Sequence, residues 1–474
     1  MSSDLAYLAA GDLARLYRAR KLSPVDVTNA LLARSEASQA SINAFITIDH
    51  AGAMQAARDS QARFDRGAPL GVLDGVPYSV KDLTNTAGLR TTMGSKVMKD
   101  FVPKDDAVPV ARMRAAGAVL LGKTTTPEWG HKAMTDSPLF GVTRNPWHAE
   151  RTCGGSSGGA GAAVAAGIGP IALGTDGGGS IRIPAANCGI VGLKQTLGRI
   201  PNIHAVDLFA NHSYIGPMTR SAADAALMFA TLEGPDHRDP YAIRPPRRLP
   251  SLPPGTLAGL RIGFALKAGN PRVAADVEAS CAASLSALET MGAAIGEFAI
   301  DFAQHVEVFQ ITWQSSLRAR LKELIEKSGQ PVATSLAQTI ELGARHSAVD
   351  LAKAQALRTG LFRDVETLLQ RFDVLATPMM ARDALPLSQD PLAEIEIDGV
   401  RTGTMRRDLY PYTWPFNLTG HPAISVPCGF SKDGLPLGFQ LIGPWDSDER
   451  LLDLAQRLES ARPWTEHRPK LTFT

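Results

Sequence analysis

The residues best suited to chemistry lie between 154 and 184, in a stretch that reads GGSSGGAGAAVAAGIGPIALGTDGGGSIRIP. It holds eleven glycines, three serines and no aromatic residue, so its side chains are too small to build a core. Backbone N–H groups in such a stretch can face a ligand, and the missing Cβ atoms let that ligand approach closely. Two of the serines, Ser156 and Ser180, stand 24 positions apart. We therefore expect the backbone itself to be functional here.

The end of this stretch has the groups that amide hydrolysis requires, namely a nucleophile and an oxyanion site. Residues 177–179 are three glycines, whose N–H groups can converge on one oxygen while the hydroxyl of Ser180 lies beside it. Asp176 and Arg182 flank this predicted turn and carry opposite charges, so we expect them to brace it.

A base for the serine is expected from Lys81, which ends the turn and apolar strand predicted at 71–81 (GVLDGVPYSVK). A lysine amine is neutral near neutral pH only where burial or nearby cations lower its pKa. A second serine could then carry the proton between the two groups. The alternative interpretation is that the glycines mark tight packing and that Lys81 and Asp82 form a surface ion pair.

Two familiar motifs match the chain, but their context does not fit. Residues 117–124 (GAVLLGKT) follow the P-loop pattern, yet AVLL is itself predicted as a strand and no helix is predicted to begin at Lys123. Residues 154–158 (GGSSG) follow the nucleophile-elbow pattern, yet no apolar strand precedes them. Neither nucleotide binding nor a Ser-His-Asp triad is expected, and His131 and His421 are interpreted as structural rather than catalytic.

The composition is that of an ordinary globular protein. The 474 residues include 49 Lys or Arg and 47 Asp or Glu, a balance that predicts no nucleic acid and no membrane surface as a partner. Four cysteines occur without any zinc-site spacing and are interpreted as free thiols in a reducing compartment. The N-terminus is not typical of a signal peptide, and no apolar run of about 18 residues occurs, so we expect a cytoplasmic protein.

Short apolar strands alternate with helices along most of the chain. This pattern predicts an α/β fold with a large mixed β-sheet covered by helices on both faces. Because strand patterns recur on both sides of the most linker-like segment, one domain spanning 1–474 is expected. Its predicted parts are a helical N-terminal wrapper (1–66), a catalytic core (67–232), a Pro-rich connection (233–257), a helical excursion (304–371) and a return to the sheet (372–474).

The chain resembles the amidase signature family. The resemblance rests first on GGSSGGAG (154–161) and GTDGGGSIRIP (174–184). It extends in order over nearly the whole chain, through GVPYSVKDL (75–83), LLGKTTTPEWG (120–130), FGVTRNPWH (140–148), GIVGLKQTLGRI (189–200), GPMTRSAAD (216–224), FDVLATP (372–378) and FNLTGHPAISVP (416–427).

This resemblance implies a Ser-cisSer-Lys hydrolase. Ser180 would be the nucleophile, Lys81 the base, and Ser156 the serine that bridges them, with a cis peptide bond between Gly155 and Ser156. The implied oxyanion donors are the N–H groups of Gly177, Gly178, Gly179 and Ser180, and the implied supporting residues are Ser157, Asp176 and Arg182. The chain departs from the family pattern at Gly177, where many members carry a bulkier residue, and at Gln195, which replaces the usual Pro.

The resemblance also suggests where the substrate binds. The acyl pocket would be lined by Gly130, His131 and Met134, with Trp313 and Trp414 as candidate walls. Such a pocket suits a small apolar or aryl amide or anilide, with ester cleavage as a side activity. The mechanism needs no metal and no organic cofactor. We expect the protein to form a homodimer. Its expected binding partner is the small-molecule amide that it uses as substrate.

The alternative within the same family is the amidase subunit of a glutamyl-tRNA amidotransferase, a glutaminase that works in a multi-subunit complex. That subunit carries a block of the type G-x-E-V-K-R-R-I with an Arg for the glutamine carboxylate, and residues 316–327 (SLRARLKELIEK) match it poorly. A non-catalytic binding protein is disfavoured because all three catalytic positions are filled.

Overall fold

Within residues 5–471, which the computed structural model describes, eleven strands form one mixed sheet. They are β1 (Phe45–Ile48), β2 (Pro77–Lys81), β3 (Val119–Thr124), β4 (Ile171–Asp176), β5 (Val191–Lys194), β6 (Tyr214–Thr219), β7 (Arg261–Phe264), β8 (Ala294–Glu297), β9 (Val374–Pro378), β10 (Ala423–Phe430) and β11 (Pro436–Ile442). Their order across the sheet is β1-β3-β2-β4-β6-β5-β10-β11-β9-β7-β8. Strands from both sides of the segment 233–257 thus join one sheet.

The α-helices of the same range surround this sheet. They are α1 (Ala10–Arg18), α2 (Pro24–Ser38), α3 (His50–Asp65), α4 (Val108–Ala115), α5 (Gly158–Ala165), α6 (Arg182–Cys188), α7 (Ala222–Leu232), α8 (Ala275–Thr290), α9 (Val306–Ser328), α10 (Thr334–Leu342), α11 (Ala348–Arg371), α12 (Trp414–Thr419) and α13 (Asp448–Ala461). None of these helices is both long enough and apolar enough to span a membrane.

The sheet is mixed because it contains both parallel and antiparallel pairs of strands. Strand β2 runs parallel to β3 and β4, and β7 runs parallel to β8 and β9, whereas β4–β6 and β10–β11 are antiparallel. Every residue of β2, β3 and β11 is buried, as expected of strands covered on both faces. Helices α5 and α6 pack together on the central strands, while α7, α8 and α13 form a second contacting group. The predicted α/β architecture is confirmed.

The N-terminal region is not wholly helical. Helix α2 begins at Pro24, and the side chain of Ser23 accepts hydrogen bonds from two N–H groups of its first turn. Between α2 and α3, however, β1 pairs with β3 at the edge of the sheet. The prediction of helices throughout 1–66 is therefore wrong at 45–48, because four residues between two helices are too few to show an alternating pattern. Residues 1–4 of the predicted wrapper lie outside the described residues.

Strand β3 is longer than predicted. The expected strand covers 118–121 and a loop follows, but β3 continues through Lys123 to Thr124. The Lys123 side chain is fully buried, and its Nζ donates to Thr86 Oγ1 (2.8 Å) and Thr91 Oγ1 (3.0 Å). Since this lysine lies within a strand that is paired on both sides, residues 117–124 do not form a phosphate-binding loop.

Several short elements carry no clear sequence signal. Helix α6 follows directly on the glycine turn and contains Pro184, and β6 contains Pro217. The segment 138–155, predicted as an ordered loop, contains the short strands Gly141–Val142, Arg144–Asn145 and His148–Thr152. A hairpin (Glu394–Ile397 with Val400–Thr404) and a π-helical turn, Met405–Leu409, precede α12. The predicted excursion at 304–371 is occupied by α9, α10 and α11.

Candidate active site

Lys81 is the last residue of β2 and lies in the interior of the sheet. Its side chain is fully buried, and its Nζ lies 2.7 Å from Ser156 Oγ and 2.8 Å from Thr175 Oγ1. The structure therefore brings the predicted base and the predicted bridging serine into direct contact across 75 positions of sequence. Thr175, in the neighbouring strand β4, is a contact that the sequence did not predict.

The environment of Lys81 favours the neutral amine. Burial lowers its pKa well below the usual value of 10.5, and the negative charge of Asp176 offsets only part of this effect. All hydrogen-bond partners of Nζ are neutral oxygens, those of Ser156 and Thr175. Burial removes the water that would stabilise a charged amine, and a carboxylate in contact could replace that water. Where the contacts are neutral oxygens, the uncharged amine is preferred.

The alternative interpretation of Lys81 and Asp82 as a surface ion pair is wrong, because both side chains are fully buried. The carboxylate of Asp82 accepts hydrogen bonds from the N–H (2.9 Å) and from the hydroxyl of Thr92. Burial raises the pKa of Asp82, and the neighbouring charge that opposes this shift is that of Lys123. The side chains of Lys81 and Asp82 therefore make separate sets of contacts.

Ser156 and Ser157 connect the start of α5 to the end of β4. The peptide bond between Gly155 and Ser156 is cis, as the family resemblance implies. Ser157 Oγ donates to the carbonyl of Thr175 (3.0 Å) and accepts from its N–H (3.1 Å), and the N–H of Ser157 donates to the carbonyl of Ser180 (3.1 Å). Ser157 therefore holds Thr175 beside Lys81 and fixes the end of the glycine turn.

Asp176 and Arg182 form a fully buried ion pair beneath the turn. Nε and Nη2 of Arg182 donate to the two carboxylate oxygens at 2.9 and 3.1 Å. Burial raises the pKa of Asp176, but the charge and hydrogen bonds of Arg182, with smaller contributions from Asn417 and Gly179, bring it below its usual range. The carboxylate is therefore ionised and can hold the turn in place.

Asn417 completes this support, and the sequence alone assigned it no role. Its Nδ2 donates to the carbonyl of Asp176 (2.8 Å) and to its Oδ1 (2.9 Å), while its Oδ1 accepts from Arg182 Nη2 (2.7 Å). The residue lies in α12, within the block 416–427 that resembles the family. That block was the available signal, but its contact with Asp176 spans 241 positions and is visible only in three dimensions.

The turn 177–180 offers fewer free donors than predicted. Gly179 has a φ of 118°, and its N–H donates to Asp176 Oδ1 at 2.5 Å, so the prediction that this N–H holds an oxyanion is corrected. Within residues 5–471, the N–H groups of Gly177, Gly178 and Ser180 donate to no protein acceptor. These three residues also line the adjoining cavity. They are the donors that a substrate oxygen can meet.

A cavity of about 250 Å³ lies above this turn. Ser156 and Ser180 both line it, and the described part of the chain provides no hydrogen-bond partner for the Ser180 hydroxyl. Of the predicted pocket residues, Gly130, His131 and Trp313 line the cavity.

The other two predicted pocket residues do not reach the cavity. Trp414 is fully buried behind Phe309, with 6.0 Å between their ring centroids, so Phe309 forms the wall that Trp414 was expected to form. Met134 packs into the hydrophobic core, where its backbone meets Gly155. Phe309 was missed because an apolar residue in a long helix gives no sign of the face it occupies.

His131 and His421 are held by neighbours outside the catalytic cluster. His131 Nδ1 lies 2.9 Å from the carbonyl of Glu128, and Nε2 lies 2.8 Å from Ser335 Oγ. Burial is the main cause that lowers the pKa of His131 to about 3, so it is neutral. His421 lies 2.8 Å from a carboxylate oxygen of Glu366 in α11. Neither histidine contacts Lys81, Ser156 or Ser180.

Comparisons with known proteins show the family of the chain. A family model described as Amidase matches residues 26–452. The chain is 37% identical to an acylamidase of Rhodococcus erythropolis, with 98% of each chain covered. It is also 37% identical to one of the subunits of the glutamyl-tRNA(Gln) amidotransferase of Symbiobacterium thermophilum, covering 98% of this chain and 99% of that protein.

Two solved structures extend the comparison. One is a bacterial aryl acylamidase of the amidase signature family, with a TM-score of 0.89, 29% identity and 98% of each chain covered. The other is a 6-aminohexanoate cyclic dimer hydrolase bound to its substrate, with a TM-score of 0.85, 29% identity and coverage of 98% of this chain and 99% of that one.

Proposed function

The chain belongs to the amidase signature family of amide hydrolases, and on that premise we propose that it cleaves small apolar or aryl amides through a Ser180 acyl-enzyme. The observation that carries the proposal is the contact of 2.7 Å between Ser156 Oγ and the buried, charge-disfavoured amine of Lys81. A neutral lysine in that position can act only if a hydroxyl lies within reach, and Ser156 is that hydroxyl.

The first half of the reaction forms the acyl-enzyme. Lys81 takes the proton of Ser156, and Ser156 takes the proton of Ser180 as Ser180 Oγ attacks the amide carbonyl. Among the described residues no hydrogen bond joins the two serine hydroxyls, so the proton transfer requires Ser180 Oγ to turn toward Ser156 Oγ. The N–H groups of Gly177, Gly178 and Ser180 stabilise the oxyanion that develops.

The second half of the reaction returns the enzyme to its starting state. The proton held by Lys81 passes back through Ser156 to the nitrogen of the leaving amine as the C–N bond breaks. Water then attacks the ester carbonyl, its proton follows the same route to Lys81, and Ser180 recovers its hydrogen as the carboxylate product leaves. Ser157, Asp176, Arg182 and Asn417 act by positioning the turn and do not transfer protons.

The proposed substrate class rests on the cavity and on the relatives. Phe309 and Trp313 form an aromatic wall beside the turn, which suits an aryl or small apolar group. The similarity to an acylamidase and to an aryl acylamidase points in the same direction. We further propose that the protein acts as a stand-alone homodimer, that it works in the cytoplasm, and that it needs no cofactor.

The second candidate is a glutaminase component of a glutamyl-tRNA amidotransferase, which the similarity to such proteins favours. Purified protein incubated with acetanilide, 4-nitroacetanilide, aliphatic amides and L-glutamine separates the two candidates. We expect the protein alone to hydrolyse the anilides. We also expect its mass, measured by light scattering, to be that of a homodimer. Release of ammonia from glutamine only, and only after partner subunits are added, would support the second candidate.

A further inference from the structure

Two arginines in the cavity have no acidic partner. Arg320 lies in α9 and Arg406 in the π-helical turn 405–409, and both line the cavity. No carboxylate within residues 5–471 forms an ion pair with either guanidinium, whereas the buried Arg182 pairs with Asp176. An unpaired guanidinium in a recess retains the full ability to bind an anion.

Arg406 is held in place without being neutralised. Its guanidinium lies 4.0 Å from the ring centre of Trp313 and 4.9 Å from that of Phe309. Stacking on these rings orients the planar group and leaves its N–H edge able to donate. Tyr410, which also lines the cavity, is its remaining polar neighbour.

The titratable groups around the cavity make its interior positive. Burial is the main cause that lowers the pKa of both His131 and His212. The charges of Lys132 and Arg406 lower that of His131 further, and those of Arg358 and Arg320 lower that of His212, which the charge of Asp207 opposes. Lys132 is balanced by Asp136 at 2.7 Å.

Among the described residues that line the cavity, Asp207 is the one carboxylate. It is exposed, and its Oδ1 accepts the N–H groups of Phe209 and Ala210 at 3.0 Å each. This single exposed acid does not offset both guanidinium groups, so positive charge outweighs negative charge in the lining.

The ring of Phe309 lies between Arg406 and the predicted oxyanion turn. A Cβ on Gly178 would lie 2.6 Å from Phe309 Cζ, so this ring packs directly on the turn, and the guanidinium lies over the same ring. An amide whose carbonyl meets the N–H of Gly178 can therefore extend along Phe309 and place a distal group near Arg406.

We propose that the substrate is an amide that also carries a carboxylate remote from the scissile bond, and that Arg406 binds this carboxylate with Arg320 supporting it from the mouth of the cavity. The inference rests on the proposed amidase function and names a substrate class for the same site. Arginine presents a planar fork of donors that matches a carboxylate, and hydrogen bonds between charged groups are stronger than neutral ones. Because positive charge outweighs negative charge in the lining, the expected substrate is a monoanion.

Two matched pairs of substrates test this subsite. The first compares glutaric acid mono-4-nitroanilide with hexanoic acid 4-nitroanilide, a neutral amide of similar length without an ester, which places the charge in the acyl part. The second compares 4-acetamidobenzoate with 4-methylacetanilide, which places it in the amine part. The readout is the ratio of kcat/KM for the anionic to the neutral member, which cancels any general loss of activity.

We expect wild type to favour the anionic member of at least one pair by about tenfold or more, with the difference mainly in KM. Arg406→Gln should lower that ratio by about 10- to 100-fold, and R406K should restore part of it. The matched control is Arg407→Gln, which removes the same charge from the adjacent, exposed residue and should leave the ratio unchanged. R320Q should lower the ratio less than R406Q.

The outcomes separate the subsite from the amidase proposal. If wild type cleaves the neutral anilides at least as well as the anionic ones, or if R406Q and R407Q give the same ratio, the carboxylate subsite is wrong and the amidase function stands. If wild type cleaves none of the four amides, both proposals fail. Thermal melting of each variant shows whether a fall in the ratio accompanies loss of the folded state.

Discussion

Lys81 Nζ lies 2.7 Å from Ser156 Oγ, at a place where the lysine side chain is fully buried and where, among the described residues, its amine bonds to neutral oxygens of Ser156 and Thr175. This contact links the end of β2 to the loop before α5 and puts an amine that resists protonation next to a hydroxyl. The expected behaviour of the enzyme follows from this pair and from the turn that it serves.

Lys81→Met should abolish most of the turnover while keeping the fold. Methionine fills a similar volume without an amine, and general-base catalysis contributes about 10²- to 10⁴-fold, so kcat/KM on an anilide should fall within that range. The melting temperature should equal or exceed that of wild type, because the buried amine is no longer desolvated. A K81M variant that melts normally and retains wild-type kcat/KM would exclude Lys81 as the base.

The pH profile should show an acidic limb that belongs to Lys81. The base must be neutral, so kcat/KM should rise as pH increases through the lowered pKa of Lys81 and level off above it. A steady-state profile from acid to alkaline pH measures this limb. If the limb were instead centred at or above the usual lysine value of 10.5, the neutral-amine assignment would not hold.

Stability should depend on pH through the same group. Between the lowered folded pKa and the unfolded value of 10.5, the unfolded chain binds a proton that the folded chain does not, so the free energy of unfolding rises with pH in this window. The free energy of unfolding of wild type minus that of K81M should therefore rise with pH, by at most about 1.4 kcal/mol per pH unit, so that any advantage of K81M narrows as pH increases. Urea unfolding of both proteins at several pH values checks the sign, and a flat difference would contradict it.

Adding a methyl group at neighbouring positions of the turn should have opposite outcomes. A Cβ at Gly177 meets no atom within 4 Å, whereas a Cβ at Gly178 would lie 2.6 Å from Phe309 Cζ. We expect G177A to stay within about fivefold of wild-type kcat and G178A to lose about tenfold or more, since a misplaced oxyanion donor costs at least that much. The double variant G178A/F309L should recover activity if the clash with the ring is the cause.

Asn417→Ala should disturb the turn without touching the nucleophile. It removes the hydrogen bonds that Asn417 makes with Asp176 and Arg182, which leaves buried polar groups unpaired at a cost of about 1–3 kcal/mol in the free energy of unfolding. We expect kcat to fall more than KM rises, because the turn supplies the oxyanion donors. An unchanged kcat in a destabilised protein would show that the support acts on the fold alone.

The sequence predicted those parts of the site that lie close together in the chain. Asp176, Arg182 and Ser180 share one short segment whose lack of bulky side chains already indicates a functional backbone. Lys81 could be proposed because a strand ending in lysine is unusual in a core. The family resemblance then assigned the roles, and the structure places Lys81 and Ser156 in contact.

What the sequence could not predict depends on long-range packing or on the direction of single groups. Asn417 and Arg406 reach the site from more than 220 positions beyond Ser180, and a three-dimensional neighbour at that separation leaves no local pattern. The N–H of Gly179 points at Asp176 because Gly179 has a positive φ. The presence of a glycine in the sequence does not by itself show the sign of φ. The type of an aromatic residue does not show whether it lines a cavity or lies buried behind the wall. The sequence therefore predicts Trp414 as a wall and gives no sign of Phe309.

Trapping of the acyl-enzyme tests the central claim most directly. Wild-type protein is mixed with excess 4-nitroacetanilide or 4-nitrophenyl acetate, quenched in acid during the first turnover and digested for mass spectrometry. We expect the peptide containing Ser180 to gain the mass of one acetyl group in place of one hydrogen, S180A to gain none, and K81M to accumulate far less in the same time. An acetyl group on another residue, or steady turnover by S180A with the anilide, would contradict it.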